Sequence, residues 1–261
     1  MPPSFLSKYG PWAVVAGASE GLGAAFATAL AARGLNLLLL ARRAALLDEV
    51  AQLLRTSHGI EVRATACDMA RPDLAAALDE MTTDLQIGLA IYNAAAAPVG
   101  ELHTQPIENL LQVVDVNVKA PLMFARTFAP GMVERGRGGI VLMSSLAGFQ
   151  GAPRIAAYAA SKAFNIVLGE RLWRELKPHG VDVLVCAAGA VRTPGYAAAA
   201  KGDAPGTLDA ATVAEDALNA LGTGPMIVPG AINKLARLVL GRMLPRRTAI
   251  AVMARSTKEL S

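Results

Sequence analysis

The chain has 261 residues, of which 53% are hydrophobic and 18% charged, with a formal net charge of +4. This length suits one α/β domain with a short extension, and the hydrophobic share excludes an intrinsically disordered chain. The charge is uneven, because residues 1–216 carry 18 Lys/Arg against 20 Asp/Glu and residues 217–261 carry seven against one. The basic surplus therefore belongs to the C-terminal tail, which argues against a nucleic-acid surface on the body.

Cysteine usage and the ends of the chain narrow the class further. Cys67 and Cys186 lie in or beside apolar runs, so buried thiols are favoured over a disulfide framework or a catalytic thiol. The N-terminus lacks the charged flank and apolar stretch of a signal peptide, and the apolar runs are too short to span a bilayer. We expect a cytoplasmic protein. No His, Cys, Asp or Glu cluster has metal-ligand spacing, so no catalytic metal is expected.

Short apolar runs alternate with segments of helical periodicity along the chain. Continuous hydrophobicity of this kind is typical of strands buried on both faces of a parallel sheet. The predicted strands are Trp12–Ala16, Leu35–Ala41, Ile60–Ala66, Leu89–Asn93, Gly139–Ser144, Val181–Ala187 and Met226–Val228. Predicted helices include Asp73–Leu85, Ile107–Arg135 and Ala157–Lys177. The alternation predicts an α/β fold, a doubly wound, Rossmann-type parallel sheet of about seven strands with helices on both faces.

A glycine-rich sequence joins the first predicted strand to the first helix. Its spacing is G-x-x-x-G-x-G, and such a turn lets the backbone approach a pyrophosphate. Free N–H groups and the dipole at the helix N-terminus favour the negative charge. A plain tight turn that needs glycine is the alternative. The residues expected to line a cofactor here are Gly17, Ser19, Glu20, Gly21, Leu22 and Gly23.

The second predicted strand ends at Arg42-Arg43, with no acidic residue beside the pair. An Asp or Glu would bind the adenosine ribose hydroxyls of NAD, whereas Arg suits the 2′-phosphate of NADP. Because a cation at a helix N-terminus opposes the helix dipole, a bound anion would explain the placement. The sequence favours NADP(H), with Arg42 the first candidate and Arg43 the second. An ordinary solvated pair is the alternative.

Tyr158 and Lys162 lie four residues apart in a predicted helix, so their side chains share one face. Tyr is a poor acid–base group at neutral pH because its ordinary pKa is about 10. A neighbouring ammonium group stabilises the phenolate and is expected to lower that pKa. Taken alone, the pair could equally be a chance surface pair.

Two further polar residues strengthen this pattern. Ser145 closes the fifth strand, where ligands bind in such sheets, and its hydroxyl could hold a carbonyl oxygen while Tyr158 delivers a proton. Asn117 interrupts a helical stretch, and its side chain could hold a water that passes protons to Lys162. Each alone has a plain structural interpretation, a strand-end hydroxyl or a helix kink. Together they predict a hydride-transfer site with Tyr158, Ser145, Lys162 and Asn117 as catalytic residues.

In this order the motifs resemble the short-chain dehydrogenase/reductase family over roughly residues 12–193. The segment Lys8–Trp12 resembles the branch that contains 3-oxoacyl reductases and 17β-hydroxysteroid dehydrogenases. The resemblance implies that Tyr158 is the acid–base, Ser145 orients the carbonyl or alcohol, and Asn117 supports a relay water. It implies that Lys162 lowers the pKa of Tyr158 and holds the nicotinamide ribose.

The resemblance also implies further contacts to the cofactor. These fall on Asp68, Met69, Asn93, Ala94, Tyr158, Lys162, Gly189, Val191 and Thr193. The chain departs from the family pattern at Ala16, Ala95 and Ala188, which replace Thr, Gly and Pro. None of the three removes a catalytic group, although Ala95 could narrow the cofactor channel.

The substrate side is expected to follow Ser145 and to include the Ala-, Gly- and Pro-rich stretch 190–208. That stretch lacks periodicity and is long for a loop, so we interpret it as a substrate lid. The predicted pocket is mostly apolar, which favours a hydrophobic ketone or alcohol, or an acyl thioester. Its predicted residues are Phe149, Ile155, Pro194 and Tyr196. We assign 1–229 to a dinucleotide-binding catalytic domain and 230–261 to a basic helical C-terminal extension.

The extension allows three interpretations. Pro245 separates an amphipathic stretch from a second apolar segment. The two helices could border the pocket and attract an anionic acyl carrier, contact a membrane surface, or pack on the body or a neighbouring subunit. The helices around Asn117 and Tyr158 are apolar enough for a homo-oligomer, a dimer or tetramer, which the family resemblance also implies.

The sequence therefore predicts an NADP(H)-dependent oxidoreductase that interconverts a carbonyl and a secondary alcohol on a hydrophobic substrate. An NAD-linked dehydrogenase of the same family is one alternative. A catalytically silent NADP-binding regulator on the same fold is another, and the presence of all four site residues argues against it.

Overall fold

A computed structural model describes residues 4–199 and 202–257. Within these residues, seven strands form a parallel sheet, which confirms the predicted doubly wound α/β fold. The spatial order of the strands is β3-β2-β1-β4-β5-β6-β9. The strands of this sheet are β1 (Trp12–Ala16), β2 (Asn36–Ala41), β3 (Val62–Ala66), β4 (Ile87–Tyr92), β5 (Gly138–Ser145), β6 (Val181–Ala188) and β9 (Met226–Ile227).

Helices cover both faces of the sheet. One face carries α2 (Gly21–Ala31), α3 (Ala44–His58) and α9 (Ala210–Ala220), and the other carries α4 (Leu74–Thr82), α6 (Ala120–Glu134) and α7 (Ala156–Leu176). The remaining helices are α1 (Phe5–Tyr9), α5 (Ile107–Val114), α8 (Pro194–Ala199), α10 (Ala231–Leu238) and α11 (Arg246–Thr257).

The continuous apolar runs form buried strands because alternate side chains enter two different cores. In β2, Leu37 and Leu39 pack with α2 and α3, whereas Leu38 and Leu40 pack with α4 and α6. A strand with one solvated face would alternate apolar and polar residues, and β2 does not. The same two-sided burial applies to every residue of β1 and β4.

The predicted helix 107–135 is in fact three segments. A π-helical turn at Asp115–Lys119 lies between α5 and α6, and the Ala120 N–H donates to the Asp115 carbonyl across it. Such turns insert one residue into a helix and re-aim its side chains, which periodicity alone does not reveal. The buried Val116 and Asn117 both lie in this turn.

The stretch 190–208 is more ordered than expected. It contains β7 (Val191–Arg192), α8 and the start of β8 (Leu208–Asp209), and β7 pairs with β8 in a separate parallel sheet of two strands. Pro194 stands at the first position of α8, where its missing N–H costs nothing. Residues 200 and 201 of the predicted lid, and 258–261 of the predicted extension, lie outside the described residues.

The strand order reverses between β1 and β4, because the chain adds β2 and β3 on one side and returns to the other. The carboxyl ends of β1 and β4 therefore flank a crevice, the place where open α/β sheets bind ligands. None of the described helices combines the length and apolar character needed to cross a bilayer. Among the same residues, no three or more His, Cys, Asp or Glu side chains converge as a metal site would require.

Candidate active site

The glycine-rich turn between β1 and α2 is closed by neighbours that leave no space for side chains. Gly17 (φ 82°) and Gly21 (φ 55°) have left-handed backbones. A Cβ atom on Gly17 would lie 2.7 Å from the Ala94 nitrogen, and one on Gly21 would lie 2.9 Å from Cγ2 of Thr193. A Cβ on Gly23 would overlap the Gly17 carbonyl oxygen. All three glycines are therefore sterically required.

The N-terminus of α2 is open to an anion. Its N-cap residue, Glu20, makes no side-chain capping hydrogen bond, so the first N–H groups of the helix lack that partner. Asn93 Nδ2 donates to the Gly17 carbonyl oxygen at 3.1 Å and so fixes the turn from the end of β4. A bare glycine cradle at a helix N-terminus fits a pyrophosphate.

The two arginines after β2 differ in their surroundings. The Arg43 guanidinium forms an ion pair with Glu20 at 2.6 Å and a hydrogen bond with Ser19 Oγ at 3.3 Å, so it is tied to the glycine turn. Arg42 is exposed, and among the described residues no side chain pairs with its guanidinium. Arg42 is thus the cation that can bind an anion without first breaking an ion pair.

The other residues expected at the cofactor lie along the same crevice. Asp68 Oδ1 accepts from the Ala70 N–H at 2.9 Å in the turn after β3, and Met69 is buried. Val191 begins β7 and is partly buried against the core. A Cβ on Gly189 would lie 2.6 Å from Asn233 Oδ1, so this glycine makes room for a tail residue. Ala95 is exposed, which turns its methyl group away from the packed core.

Tyr158, Ser145 and Lys162 form one cluster at the carboxyl end of β5. Ser145 lies near enough to the Tyr158 hydroxyl to influence the pKa of that phenol, and the Ser145 Oγ accepts from the Ala147 N–H at 3.2 Å. Lys162 is 3% exposed, with its Nζ 5.5 Å from the Tyr158 ring centroid and donating to the Met143 carbonyl at 3.0 Å. The helical spacing thus places an ammonium group beside a phenol.

Burial is the largest influence on the pKa values of Lys162 and Tyr158. It lowers the pKa of Lys162 to about 8 from its ordinary 10.5. It also raises the pKa of Tyr158, and the hydrogen bond from Ser145 opposes that rise. The expectation that the ammonium group lowers the pKa of Tyr158 below its ordinary value is therefore wrong for the protein alone. The Tyr158 hydroxyl is protonated at neutral pH, as a proton donor must be.

Asn117 acts on the backbone rather than on Lys162. Its Nδ2 donates to the Ala96 carbonyl at 2.8 Å and to Ser161 Oγ at 3.0 Å, and its Oδ1 accepts from the Ala96 N–H at 2.8 Å. The side chain is fully buried, and both amide hydrogens are used. The expected relay water therefore has no amide donor left on Asn117. This residue clamps the segment after β4 to α7.

The predicted substrate residues after Ser145 meet the C-terminal tail. Ile155, Tyr158 and Met253 of α11 pack on a small buried cluster formed by Ala147, Ala152 and Ala159. The Phe149 ring lies 4.6 Å from the Arg237 guanidinium, and the Phe149 carbonyl accepts from Arg246 at 2.7 Å. The tail thus borders the crevice beside Tyr158.

The predicted lid residues line a cavity of about 440 Å³. Thr193, which contacts Gly21, Pro194 and Tyr196 contribute to its wall. The Tyr196 hydroxyl accepts from the Ala204 N–H and donates to the Gly202 carbonyl, each at 3.0 Å. Tyr196 therefore holds the lid in shape with its polar end, and its ring is the part left for a substrate.

Four residues of the site escaped the sequence analysis. Ala96 and Ser161 are the partners of Asn117, while Met253 and Arg246 come from the tail. Ser161 could have been predicted from the sequence, because it directly precedes Lys162 on the same helix. The two tail residues carry no local signal, since their role depends on a contact almost 100 residues away along the chain.

A family model and several known proteins are similar to this chain. A family model described as short chain dehydrogenase matches residues 11–203. The chain is 34% identical over 191 residues to a 7β-hydroxysteroid dehydrogenase of Clostridium sardiniense, covering 73% of each protein. It is 35% identical over 193 residues to a very-long-chain 3-oxoacyl-CoA reductase of Phaeosphaeria nodorum, covering 70% of this chain but only 56% of that one.

Two solved structures are similar over most of the chain. One, from work on 7β-hydroxysteroid dehydrogenase stereoselectivity, has a TM-score of 0.90 at 26% identity and covers 96% of this chain and 99% of that one. The other is a short-chain dehydrogenase from Sphingobium yanoikuyae in complex with NADPH. It has a TM-score of 0.75 at 34% identity, covering 84% of this chain and 87% of that one.

Proposed function

Because the chain belongs to the short-chain dehydrogenase family, we propose that it is an NADP(H)-dependent oxidoreductase that interconverts a carbonyl and a secondary alcohol on a hydrophobic substrate. The observation that carries the proposal is the arrangement of Tyr158, with a hydroxyl partner in Ser145 and the buried ammonium group of Lys162 beside its ring. This arrangement lies at the carboxyl end of β5, on the same edge of the sheet as the glycine turn after β1.

The glycine cradle and the cations after β2 fit a dinucleotide. Gly17, Gly21 and Gly23 form a bare backbone surface on which a larger side chain would clash with its neighbours. The N-terminus of α2 lies at this surface. Arg42 and Arg43 would hold the adenosine 2′-phosphate, and Lys162 and Tyr158 would face the nicotinamide end. When bound, the nicotinamide supplies or accepts the hydride.

The residues of the chain supply the proton and hold the substrate. In the reducing direction, Ser145 donates a hydrogen bond to the carbonyl oxygen of the substrate, and Tyr158 donates its proton to that oxygen as negative charge develops. In the oxidising direction the Tyr158 phenolate removes the proton of the alcohol. Lys162 stabilises that phenolate by its charge, and Asn117 positions Ser161 and the segment after β4 rather than moving a proton.

Apolar walls support a hydrophobic substrate. Ile155 and the tail residue Met253 pack on the same apolar cluster as Tyr158, and Pro194 and Tyr196 line the cavity of the predicted lid. The relatives carry the names of enzymes acting on hydroxysteroids and on very-long-chain 3-oxoacyl-CoA. We propose a bulky ketone or the corresponding alcohol, with an acyl thioester as the second substrate class.

The cofactor preference is tested by removing one guanidinium. An NADPH-consumption screen over ketones, 3-oxoacyl esters, steroids and quinones supplies the substrate. Arg42→Ala should then raise the KM for NADPH about 10- to 100-fold and leave that for NADH unchanged, because one charge-assisted hydrogen bond to phosphate is lost. Arg43→Ala should also weaken the binding of NADPH, and it removes the ion pair with Glu20 in the glycine turn.

The control for this test is Arg174→Ala, an exposed arginine in the last turn of α7. It changes the net charge equally and should leave both KM values unchanged. An unaltered NADPH affinity in Arg42→Ala would refute the assignment of Arg42. A preference of the wild-type enzyme for NADH would favour the NAD-linked alternative instead.

The proposal extends to the domain organisation, the cellular location and the oligomeric state of the protein. We propose that residues 1–229 are the catalytic domain and 230–261 an extension, and that the protein is cytoplasmic. We also propose a homo-oligomer, a dimer or tetramer. Its interface would use exposed apolar side chains on α5, α6 and α7, which are Ile107, Leu111, Val114, Leu122 and Val167.

A further inference from the structure

The first helix of the tail has three different faces. We use the name tail helix for residues 231–243, which comprise α10 and the π-turn Val239–Met243. One face packs inward through Asn233, which is 3% exposed and donates to the carbonyls of Gly206 and Pro229 at 3.0 Å each. The other two faces look outward, one apolar and one basic.

The apolar face is a row of large side chains that nothing in the described chain covers. Ile232, Leu235, Leu238 and Met243 are 58%, 61%, 49% and 68% exposed. Their spacing places the first three along one side of the helix, away from Asn233. Single exposed apolar residues are ordinary, but a continuous row on one helix marks a surface that something else contacts.

The basic face borders this row, continues into Arg246 and Arg247 at the start of α11, and has no acidic counterpart in sequence. Lys234, Arg237, Arg242, Arg246 and Arg247 are exposed, and the sequence has no Asp or Glu between residues 217 and 258. Arg237 and Arg246 contact Phe149, whereas none of the described residues forms an ion pair with Lys234, Arg242 or Arg247. An apolar row flanked by uncompensated cations matches an anionic lipid surface, where the row enters the acyl boundary and the cations meet the headgroups.

The position of the tail helix relates this surface to the crevice. Asn233 binds the Gly206 carbonyl near the end of the predicted lid, and Arg237 stacks on Phe149, four residues after Ser145. A surface that holds the tail helix would therefore also lie against the edge of the substrate crevice. Hydrophobic molecules dissolved in the lipid would reach that edge without crossing water.

We propose that the tail helix is a peripheral membrane-binding surface that lies on anionic lipid, with Ile232, Leu235 and Leu238 inserted and Lys234, Arg242 and Arg247 at the headgroups. A second copy of the chain suits this face less well. A two-fold contact centred on the helix would oppose like charges, and the tail helix itself has no acidic side chain to offset them.

Flotation of the purified full-length protein with lipid vesicles tests the proposal. Vesicles of phosphatidylcholine with phosphatidylglycerol should carry the protein to the top of the gradient, and vesicles of phosphatidylcholine alone should carry far less. Leu235→Ser should lower the partition coefficient about tenfold, because a large apolar side chain no longer leaves water. Neutralising Lys234, Arg242 and Arg247 to Gln should lower it about fivefold for each charge, and added salt should have the same effect.

Leu53→Ser is the matched control. Leu53 is 62% exposed on α3, as exposed as Leu235, but lies outside the tail. It should float like the wild type. Equal losses for Leu53→Ser and Leu235→Ser, or no flotation with anionic vesicles, would overturn the proposal. Equal binding to both vesicle compositions would overturn its electrostatic part.

A subunit interface is the rival explanation, and light scattering separates it. If Leu235→Ser lowers the molar mass in solution, the apolar row is an interface between copies and the proposal is wrong. An unchanged molar mass with reduced flotation supports it. Reduction of a water-soluble ketone without vesicles should be the same in the wild type and Leu235→Ser, so membrane binding can fail while the proposed function stands.

Discussion

Tyr158→Phe should lower kcat/KM for ketone reduction by about 10³-fold, within the range that general acid catalysis contributes. The substitution removes the hydroxyl that would give its proton to the carbonyl oxygen, while the ring stays packed against Ala147 and Ala159. The loss should therefore appear mainly in kcat. Initial rates of NADPH consumption with the best substrate from the screen measure it.

Two controls distinguish lost chemistry from lost structure. The Kd for NADPH and the Tm of Tyr158→Phe should stay close to the wild-type values. Tyr9→Phe removes a phenol of the same kind, which donates to Asp182 at 2.6 Å at the opposite end of the sheet, and should leave kcat unchanged. Full activity of Tyr158→Phe with any ketone would end the proposed acid–base role.

Lys162→Met should abolish activity and yet stabilise the fold at neutral pH. Burial lowers the pKa of Lys162 to about 8 from 10.5, and a shift of this size costs about 3 kcal/mol of folding free energy while the group stays charged. Lys162→Met removes this cost but also loses the hydrogen bond to the Met143 carbonyl, which lowers the stability by about 1 kcal/mol. We therefore expect a net stabilisation of about 2 kcal/mol at pH 7, with a fall in kcat of at least 10²-fold.

The stability difference between the wild type and Lys162→Met should depend on pH. Because the unfolded chain holds the Lys162 proton more tightly than the folded one, the penalty is full below about pH 8. The penalty shrinks as the pH rises from there toward the ordinary pKa of 10.5, and the wild type regains stability relative to Lys162→Met. Denaturant unfolding of both proteins at pH 7 and pH 10 measures the difference.

Lys119→Met is the matched control for Lys162. Lys119 is exposed and paired with Asp115 at 2.7 Å, so its loss should change stability little at either pH. A Lys162→Met protein that is less stable than the wild type at pH 7 would show that the ammonium group is not held at a cost. The stability–activity trade-off proposed for this residue would then be wrong.

Local pattern was sufficient for the sheet and for the proximity of Tyr158 to Lys162. The strands are readable because two-sided burial imposes uninterrupted apolar runs, as in β2. The glycine turn is readable because close approach of Ala94 and Thr193 leaves room for glycine alone. Tyr158 lies beside Lys162 and Ser145, as their positions on α7 and at the end of β5 predict, whereas Asn117 reaches α7 through Ser161.

What the sequence could not supply depends on distant contacts and on burial. The π-turn at Asn117 interrupts a helix without any proline or glycine inside it, and its partners at Ala96 and Ser161 come from two other elements. The tail packs on the segment after Ser145 through Met253 and Arg246, which no local periodicity encodes. Burial, which the sequence does not reveal, sets the direction of the Tyr158 pKa shift.

Transfer of isotope from the cofactor tests the central proposal most directly. Reduction of a hydrophobic ketone with NADPH deuterated at C4, on the face the enzyme uses, should place one deuterium on the carbinol carbon of the product. Mass spectrometry of the alcohol should show that label with the wild type and almost none with Tyr158→Phe at equal time. NADPH oxidation without any labelled alcohol, or an alcohol whose carbinol hydrogen comes from water, would contradict hydride transfer at this site.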